Sequence, residues 1–435
     1  MTRSREIGLL RLATVVMVAT PHHLAAQASS APDTILARLT AEAVAANPSL
    51  EASRAMARAA ASRVHAAGAL PDPMLSAGVM DLTLPRFAFH ESDFTEVDLE
   101  LSQEFPWPGT LGARSAVARA QARGSRAEVA TRRREVVVRT AELYYRLRYV
   151  VTARATLTRQ RELLAAAVDI STARYASTSA PQSDPLQARV ALARLDTEDA
   201  DLAAEEAELR ARLKALRNST GADSLTVDPI RPELIPEKLH LSPASGATIA
   251  ADLSFKDSVP QHPRLAARQA AIAAAEQAIR VERLGGHPDF TIVTRYGARP
   301  IAADFFSAFV GLRIPLYAGR KQHRLADAAR ADADAARAAL AGEQAELREE
   351  IRTALAQIQG EAVRLRLLTA QVVPASQATV DATLRSYRVG RIEFLTVLAA
   401  EDALYRARLD AARVAADHLT HLVMLEQLVT PEGDS

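Results

Sequence analysis

A strand that runs directly into a very long helix is the feature of this sequence that most constrains its fold. Residues 94–105 alternate between apolar and acidic side chains. The apolar set is Val97, Leu99, Leu101 and Phe105, and the acidic set is Glu96, Asp98, Glu100 and Glu104. This alternation predicts a strand with one apolar and one acidic face. It stops at Pro106-Trp107-Pro108-Gly109, where a helical pattern begins, and proline suits the first turn of a helix.

The helix that follows is unusually long. Residues 109–175 contain no proline, and apolar residues recur there at spacings of three and four. The pattern predicts a helix of about 66 residues, about 100 Å in length. Such a helix is typical of a coiled coil or a bundle of long helices. After a break at residues 177–181, a helical pattern over residues 184–217 predicts an antiparallel return.

The second half of the chain repeats this plan. Strand patterns occupy residues 290–299 and 305–314, and a long helical pattern with a kink at Pro374 covers residues 319–387. A return helix follows over residues 392–428. Equivalent positions in the two helical turns lie 212 residues apart: Tyr175 and Tyr387, Leu186 and Leu398, Ala188 and Ala400. We therefore predict that the chain is a duplicated unit.

Each predicted unit also has a helix and a strand before its long helix. In the first unit, residues 33–67 are helical with an interruption at Asn47-Pro48, and residues 74–84 form the first strand of a hairpin. The predicted boundaries are a signal peptide at 1–28, a first repeat at 29–217, a connecting segment at 218–259, a second repeat at 260–429 and a tail at 430–435. Six prolines and glycines break every periodic pattern in the connecting segment.

The N-terminus and the composition indicate an exported, mainly helical protein. Arginines precede a short apolar run, and Ala26-Gln27-Ala28 fits a signal-peptide cleavage site. Of the 435 residues 49% are hydrophobic but only 4% are aromatic, which favours closely packed helices. The net charge of +1 does not favour nucleic acid as a partner, and the absence of cysteine excludes disulfides and thiolate metal sites.

Four strands are too few to close a membrane barrel, and their open edges would invite pairing. If the strands cross a membrane, several copies of the chain must therefore close the barrel together.

Several motifs resemble the TolC family of outer-membrane efflux channels. They are LPDPMLS at 70–76, SQEFPWPGTLG at 102–112, IPLYAGRK at 314–321, and the two helical turns, which contain Tyr175, Asp184, Tyr387 and Gly390. The resemblance covers nearly the whole chain and is closest to the heavy-metal cation branch. It implies a mainly α fold with a small β part. Long antiparallel helices would form an α-barrel, and four strands per chain would contribute to a trimeric twelve-stranded membrane β-barrel.

The resemblance also implies partners and a location. A homotrimer would sit in outer-membrane lipid and extend into the periplasm, where its tip would meet a periplasmic adaptor protein and an inner-membrane RND pump. Two departures from the family pattern matter. Thr178 stands where many members have a glycine in the first tip turn, so we expect the first turn to engage the adaptor differently or less well. A lipidated N-terminal cysteine, present in some metal-efflux members, is absent.

Two groups of residues are candidate parts of a channel site. Glu96, Asp98, Glu100 and Glu104 would face the pore lumen and attract cations, although a polar lumen is also expected without cation preference. Trp107 would anchor the chain at the membrane interface or, equally, pack between helices at the barrel mouth. The resemblance assigns docking or gating at the periplasmic tip to one further set: Tyr175, Thr178, Asp184, Tyr387, Arg388, Gly390, Arg391 and Glu393.

Other chemistry is weakly supported by the residues. His418 and His421 share a helix face, and Met74 and Met80 share a strand face, but ordinary packing explains both pairs better than a metal site. No nucleophile, phosphate loop or metal cluster is recognisable, so we predict neither catalysis nor a cofactor. The function that we predict is the passive exit duct of a tripartite efflux system, with heavy-metal cations as cargo. The alternatives are a duct for drugs or other organic molecules and a periplasmic coiled-coil scaffold without a pore.

Overall fold

A computed structural model of the chain describes residues 33–81, 94–177, 181–221, 225–235 and 262–430. The helices are α1 (Thr34–Ala46), α2 (Pro48–Gly68), α3 (Thr110–Ala176), α4 (Ser183–Leu216), α5 (Pro263–Leu284), α6 (Gln322–Leu367), α7 (Val373–Arg388) and α8 (Phe394–Val429). The strands are β1 (Met74–Met80), β2 (Glu96–Phe105), β3 (Asp289–Ala298) and β4 (Phe305–Arg313). The predicted signal peptide, most of the loop after β1, and Thr178 lie outside the described residues.

The order of elements confirms a mainly α fold with a small β part. Both halves of the chain run in the order helix, strand, strand, long helix, return helix. The long helix of the first half, α3, has 67 residues. In the second half α6, a π-helical turn at Leu368–Val372 and α7 follow one another without a break. None of the helices in the described ranges has the length and apolar character that crossing a membrane requires.

The helix ends explain why the short helices begin where they do. The side chain of Asn47 accepts hydrogen bonds from the backbone N–H groups of Ser49 and Leu50, and Pro48 follows it in the first turn of α2. His262 stands in the equivalent place before Pro263, and its ring accepts a hydrogen bond from the N–H of Arg264. A capping side chain followed by proline is thus used at the same point in both halves. The predicted interruption at Asn47-Pro48 is confirmed.

The helices pack around α3, which contacts α1, α2, α4, α5 and α8. The main core lies at the middle of the long helices and contains Tyr144, Leu147, Leu213 and Leu365. Leu225, Val227 and Ile230, which follow α4 in the chain, also belong to this core. Part of the predicted connecting segment is therefore packed against the helices.

The four strands form one antiparallel sheet in the order β1-β2-β3-β4. The hairpins β1-β2 and β3-β4 are joined through β2 and β3, where Glu104 pairs with Thr291 and Phe105 with Phe290. Strand β1 ends at Met80; of the four further residues predicted for it, 82–84 lie outside the described residues. The sheet thus brings the two halves of the chain side by side, and β1 and β4 form its outer edges.

A π turn directly precedes Pro374, where the sequence predicts a kink. Residues Leu368–Val372 have the wider i→i+5 helical pattern, and Pro374 lies in the first turn of α7 directly after them. Since proline has no N–H to donate to the preceding turn, a change of hydrogen-bonding pattern before it is expected. The helix continues through the proline as a result.

Candidate functional site

The sheet has one apolar and one charged face. Side chains of the apolar face are exposed, between 43% and 73% of their surface, and they extend across all four strands: Leu75, Val79, Val97, Leu99, Leu101, Ile292, Tyr296, Phe306, Val310 and Leu312. An apolar band of this extent on a single chain marks a surface that meets lipid or another protein. The alternation predicted for β2 thus continues through the whole sheet.

Every charged residue of the four strands lies on the opposite face. They are Glu96, Asp98, Glu100, Glu104, Asp289, Arg295 and Arg313, and their face follows from strand alternation and from the pairing register. Five acids and two arginines give each copy a net charge of −3 on this face. The four acids singled out in the sequence are therefore on one face, as predicted.

The two arginines pair with these acids. Arg295 donates from Nη2 to Glu96 Oε1 at 2.8 Å and from Nε to Asp98 Oδ1 at 2.8 Å. Arg313 Nη1 donates to Glu104 Oε1 at 2.7 Å. Sequence reasoning missed both partners because they lie in the other half of the chain. The alternation of β3 and β4 would have placed them on the same face had the strand pairing been known.

Aromatic rings accompany the charges at the far end of this face. The ring of Phe305 covers Gly297, where a Cβ atom would come within 2.2 Å of the ring. The guanidinium groups of Arg295 and Arg299 lie 5.9 and 5.3 Å from the same ring centroid. Phe309, also on the charged face, is 56% exposed. The face is therefore not uniformly polar.

Trp107 marks the junction between β2 and α3. Its ring stacks on His287 and Phe290, with centroid distances of 4.8 and 5.9 Å, and its backbone N–H donates to Asp289 Oδ1 at 2.9 Å. The side chain is half-buried. The ring therefore packs on a residue that precedes β3 and on β3 itself. Anchoring at a membrane interface and packing between helices at the barrel mouth both stay predictions.

The two helical turns meet at the far end of the long helices. Tyr387 is buried, and its hydroxyl donates to Asp184 Oδ2 at 3.3 Å. Arg174, one residue before Tyr175, donates to the carbonyl oxygen of Tyr387 at 2.6 Å, and its guanidinium lies 4.5 Å from the Tyr387 ring centroid. Burial, together with the Asp184 carboxylate, raises the pKa of Tyr387. The structure thus brings Asp184 and Tyr387 together and adds Arg174, which sequence reasoning missed.

The other predicted tip residues lie at the surface. Tyr175, Arg388, Arg391 and Glu393 are exposed, and Gly390 has a positive φ of 74° in the second turn. A residue with a side chain at Gly390 would be strained in that conformation. These residues form the rim of the tip, and a docking role for them stays a prediction.

The histidine pair lies away from both sites. His418 is buried, and His421 Nδ1 lies 2.8 Å from Glu361 Oε1. Within the part of the chain that the structure describes, no group of three or more histidine, cysteine or acidic side chains is arranged to hold a metal ion.

Known proteins share this architecture. Residues 256–430 match the family model of the outer membrane efflux proteins. The outer-membrane channel OprN is 19% identical, with a TM-score of 0.77 and coverage of 91% of this chain and 90% of OprN. The channel protein CusC is 16% identical, with a TM-score of 0.78 and coverage of 92% and 93%. VceC from Vibrio cholerae is 18% identical, with a TM-score of 0.75 and coverage of 92% and 96%. No curated protein sequence matches this chain.

The fold of the chain is the one found in these outer-membrane channels. The family match covers residues 256–430, the second half of the chain, and the shared fold extends over nearly the whole chain. The family match and the shared fold confirm the predicted resemblance and the predicted fold class. The outer-membrane location and the role of an exit duct stay predictions. OprN, CusC and VceC have TM-scores of 0.77, 0.78 and 0.75, so the shared fold does not distinguish one branch of channels from another.

Proposed function

We propose that three copies of this chain form the exit duct of a tripartite RND-type efflux system whose cargo is heavy-metal cations. The observation that carries the cargo assignment is the segregation of all strand charges to one face with a net charge of −3 per copy. In a closed barrel the apolar face meets lipid, and the charged face therefore lines the pore. Three copies would triple the negative charge around one lumen and favour cations.

The same geometry supports an oligomer. Strands β1 and β4 lie at the edges of the sheet, and both are largely exposed. Unpaired backbone groups in a membrane need partners, which further copies of the same sheet can supply. A coiled-coil scaffold without a pore leaves the paired hairpins and their apolar face without a role.

The tip residues support docking and gating in the periplasm. In the proposed assembly an adaptor and an inner-membrane pump meet the exposed rim that contains Arg388, Arg391 and Glu393. The buried Tyr387–Asp184 hydrogen bond connects the turns of the two halves just behind that rim. A movement of one turn against the other would break it.

Organic molecules are the second candidate cargo. Two observations favour them: Phe309 is exposed on the charged face, and Arg295 and Arg313 neutralise part of the acidic charge. A pore lined by aromatic rings and paired charges suits amphiphilic cargo better than small metal ions.

Growth of a strain that lacks the gene distinguishes the two cargos. The strain is exposed to copper, silver, zinc, cobalt, nickel and cadmium, and separately to drugs and bile salts, with and without the intact gene restored. Selective metal sensitivity that the restored gene relieves is the expected result. Sensitivity to organic compounds alone would remove the metal assignment and leave the duct in place.

Ion selectivity of the purified protein tests the lumen assignment. In planar bilayers under a salt gradient, the wild-type channel should prefer cations, and Glu100→Gln should lower that preference because each copy loses one negative charge. Glu100→Asp keeps the charge and serves as the matched control. Equal selectivity in all three proteins would show that Glu100 does not face the conducting pore.

A further inference from the structure

The outer edges of the sheet carry enough information to define how one copy contacts the next. We propose that β4 pairs antiparallel with β1 of the partner subunit in a single register, with Arg313 opposite Met74 of the partner subunit. In this arrangement the side chain of Leu316 packs against Leu70 of the partner subunit. The inference rests on the proposed trimeric channel and specifies its subunit interface.

The internal duplication relates the strands of the two halves. Pro71-Asp72 before β1 matches Pro288-Asp289 before β3, a shift of 217 residues. Phe105-Pro106 after β2 matches Ile314-Pro315 after β4, a shift of 209 residues. The two shifts convert the first hairpin's pair Met74–Ser102 into Thr291–Gly311, which is an observed pair of the second hairpin. The hairpins are therefore equivalent in register.

Applied to the pairing between β2 and β3, the same shifts give the pairing between β4 of one copy and β1 of the partner subunit. The observed β2–β3 pair Glu104–Thr291 becomes Arg313 opposite Met74 of the partner subunit. The ladder continues with Gly311 opposite Ser76 of the partner subunit. Phe309 then lies opposite Gly78 of the partner subunit, and Ser307 opposite Met80 of the partner subunit.

The faces of the two edge strands test this register. Met74, Ser76, Gly78 and Met80 lie on the charged face of β1, because they pair with the corresponding residues of β2. Arg313, Gly311, Phe309 and Ser307 lie on the same face of β4. The register therefore aligns charged face with charged face and apolar face with apolar face. A slip of one residue would turn every side chain of one strand to the wrong face.

Contacts at the end of the sheet distinguish this register from slips of two residues. Within one copy the Trp107 N–H donates to Asp289, and the Trp107 ring stacks on His287 and Phe290. The two shifts convert Trp107 into Leu316 and Asp289 into Asp72. They convert His287 into Leu70 and Phe290 into Pro73.

The converted set is chemically consistent. An aromatic group packed on two rings becomes an aliphatic group packed on Leu70 and Pro73 of the partner subunit. Leu316 is 82% exposed and Leu70 47% exposed in the single copy, so both have apolar surface that the contact would bury. The Leu316 N–H donates to the carbonyl oxygen of Ile314 at 2.9 Å, so the inferred contact consists of apolar packing and does not include a counterpart of the Trp107–Asp289 hydrogen bond.

Cysteine cross-linking tests the register, because the chain has no cysteine of its own. The test protein is the full chain carrying Ser76→Cys and Gly311→Cys, oxidised in detergent and separated on a denaturing gel. Within one copy these positions lie on opposite edges of the sheet, three strand spacings or about 14 Å apart. Any disulfide between them therefore joins two copies. The Gly311 position has room, since an added Cβ would lie 3.7 Å from its nearest neighbour.

Two further double variants serve as controls for slips of two residues in either direction: Ser76→Cys with Phe309→Cys, and Ser76→Cys with Arg313→Cys. These positions face the same way, but in the proposed register they are diagonal neighbours about 7–8 Å apart, beyond the reach of a disulfide. The expected result is a covalent trimer for the first pair only. Cross-linking of a control pair instead would overturn the register.

The assembly is measured separately by size-exclusion chromatography with light scattering. A trimer without any cross-link in the Ser76–Gly311 variant would refute the register and leave the channel intact. A monomeric wild-type protein in detergent and in bilayers would count against the proposed function itself.

Discussion

The hydrogen bond from Tyr387 to Asp184 should help to hold the periplasmic tip closed. Tyr387→Phe removes the hydroxyl and keeps the ring, which contacts Arg174 and Phe394. A hydrogen bond to a charged group contributes about 1.5–3 kcal/mol. At 3.3 Å this bond is longer than usual for a hydroxyl donor, so about 1 kcal/mol per copy is the better figure. If three tips open together, the closed state loses about 3 kcal/mol, and the open fraction rises roughly 100-fold.

Single-channel recording in planar bilayers measures that open fraction directly. The matched control is Tyr175→Phe, because Tyr175 occupies the equivalent place 212 residues earlier and is 43% exposed. We expect the control to behave like wild type. Circular dichroism confirms that both variants keep their helical content. An unchanged open fraction in Tyr387→Phe, or an equal rise in Tyr175→Phe, would refute the reasoning.

Three predictions concern stability. Burial raises the pKa of Glu401 to about 7 from 4.5. The folded protein therefore keeps its full stability below pH 4.5, where Glu401 is protonated, and loses stability as the pH rises through 7. Relative to wild type, Glu401→Gln should raise the free energy of unfolding by up to about 3 kcal/mol at pH 8.5 and by little at pH 4, as measured by thermal melts. Arg264→Ala leaves the buried Glu343 without its main partner and should cost about 3 kcal/mol, and adding Glu343→Gln should recover much of this. Burial opposes ionisation of Glu343, but hydrogen bonds from Arg264 and Arg268 hold its pKa below the usual 4.5, so wild-type stability should fall as the pH drops below 4.5 and the fall should be smaller in Glu343→Gln.

Regular patterns made most of the fold predictable from the sequence. A proline-free apolar stripe predicted α3 to within one residue of its observed ends. Alternation in β2 predicted the two faces of the whole sheet, because all strands of a sheet share its faces. The first strand was predicted for residues 74–84; the observed strand covers Met74–Met80, and residues 82–84 lie outside the described residues.

Contacts between the two halves were not predictable in the same way. Arg295 meets Asp98 across 197 residues of sequence, and Arg174 meets Tyr387 across 213. Local patterns place each of these residues on a face or in a turn, but the partner depends on which strands and helices become neighbours. The acids of β2 could therefore be found from the sequence, whereas the arginines that neutralise part of their charge could not.

The π turn at Leu368–Val372 sets the rotational phase of the tip. Before it, buried residues recur with a seven-residue period at Leu347, Ile351, Ala354, Ile358, Leu365 and Leu368. After it, the buried residues Val380 and Tyr387 are again seven residues apart, but each lies one position later than the period before the turn would place it. One extra residue turns a helix by about 100°. Deletion of a single residue in this turn would therefore rotate Tyr387 away from Asp184. The orientation of the tip residues thus depends on an irregular helical turn that lies several turns earlier in the chain.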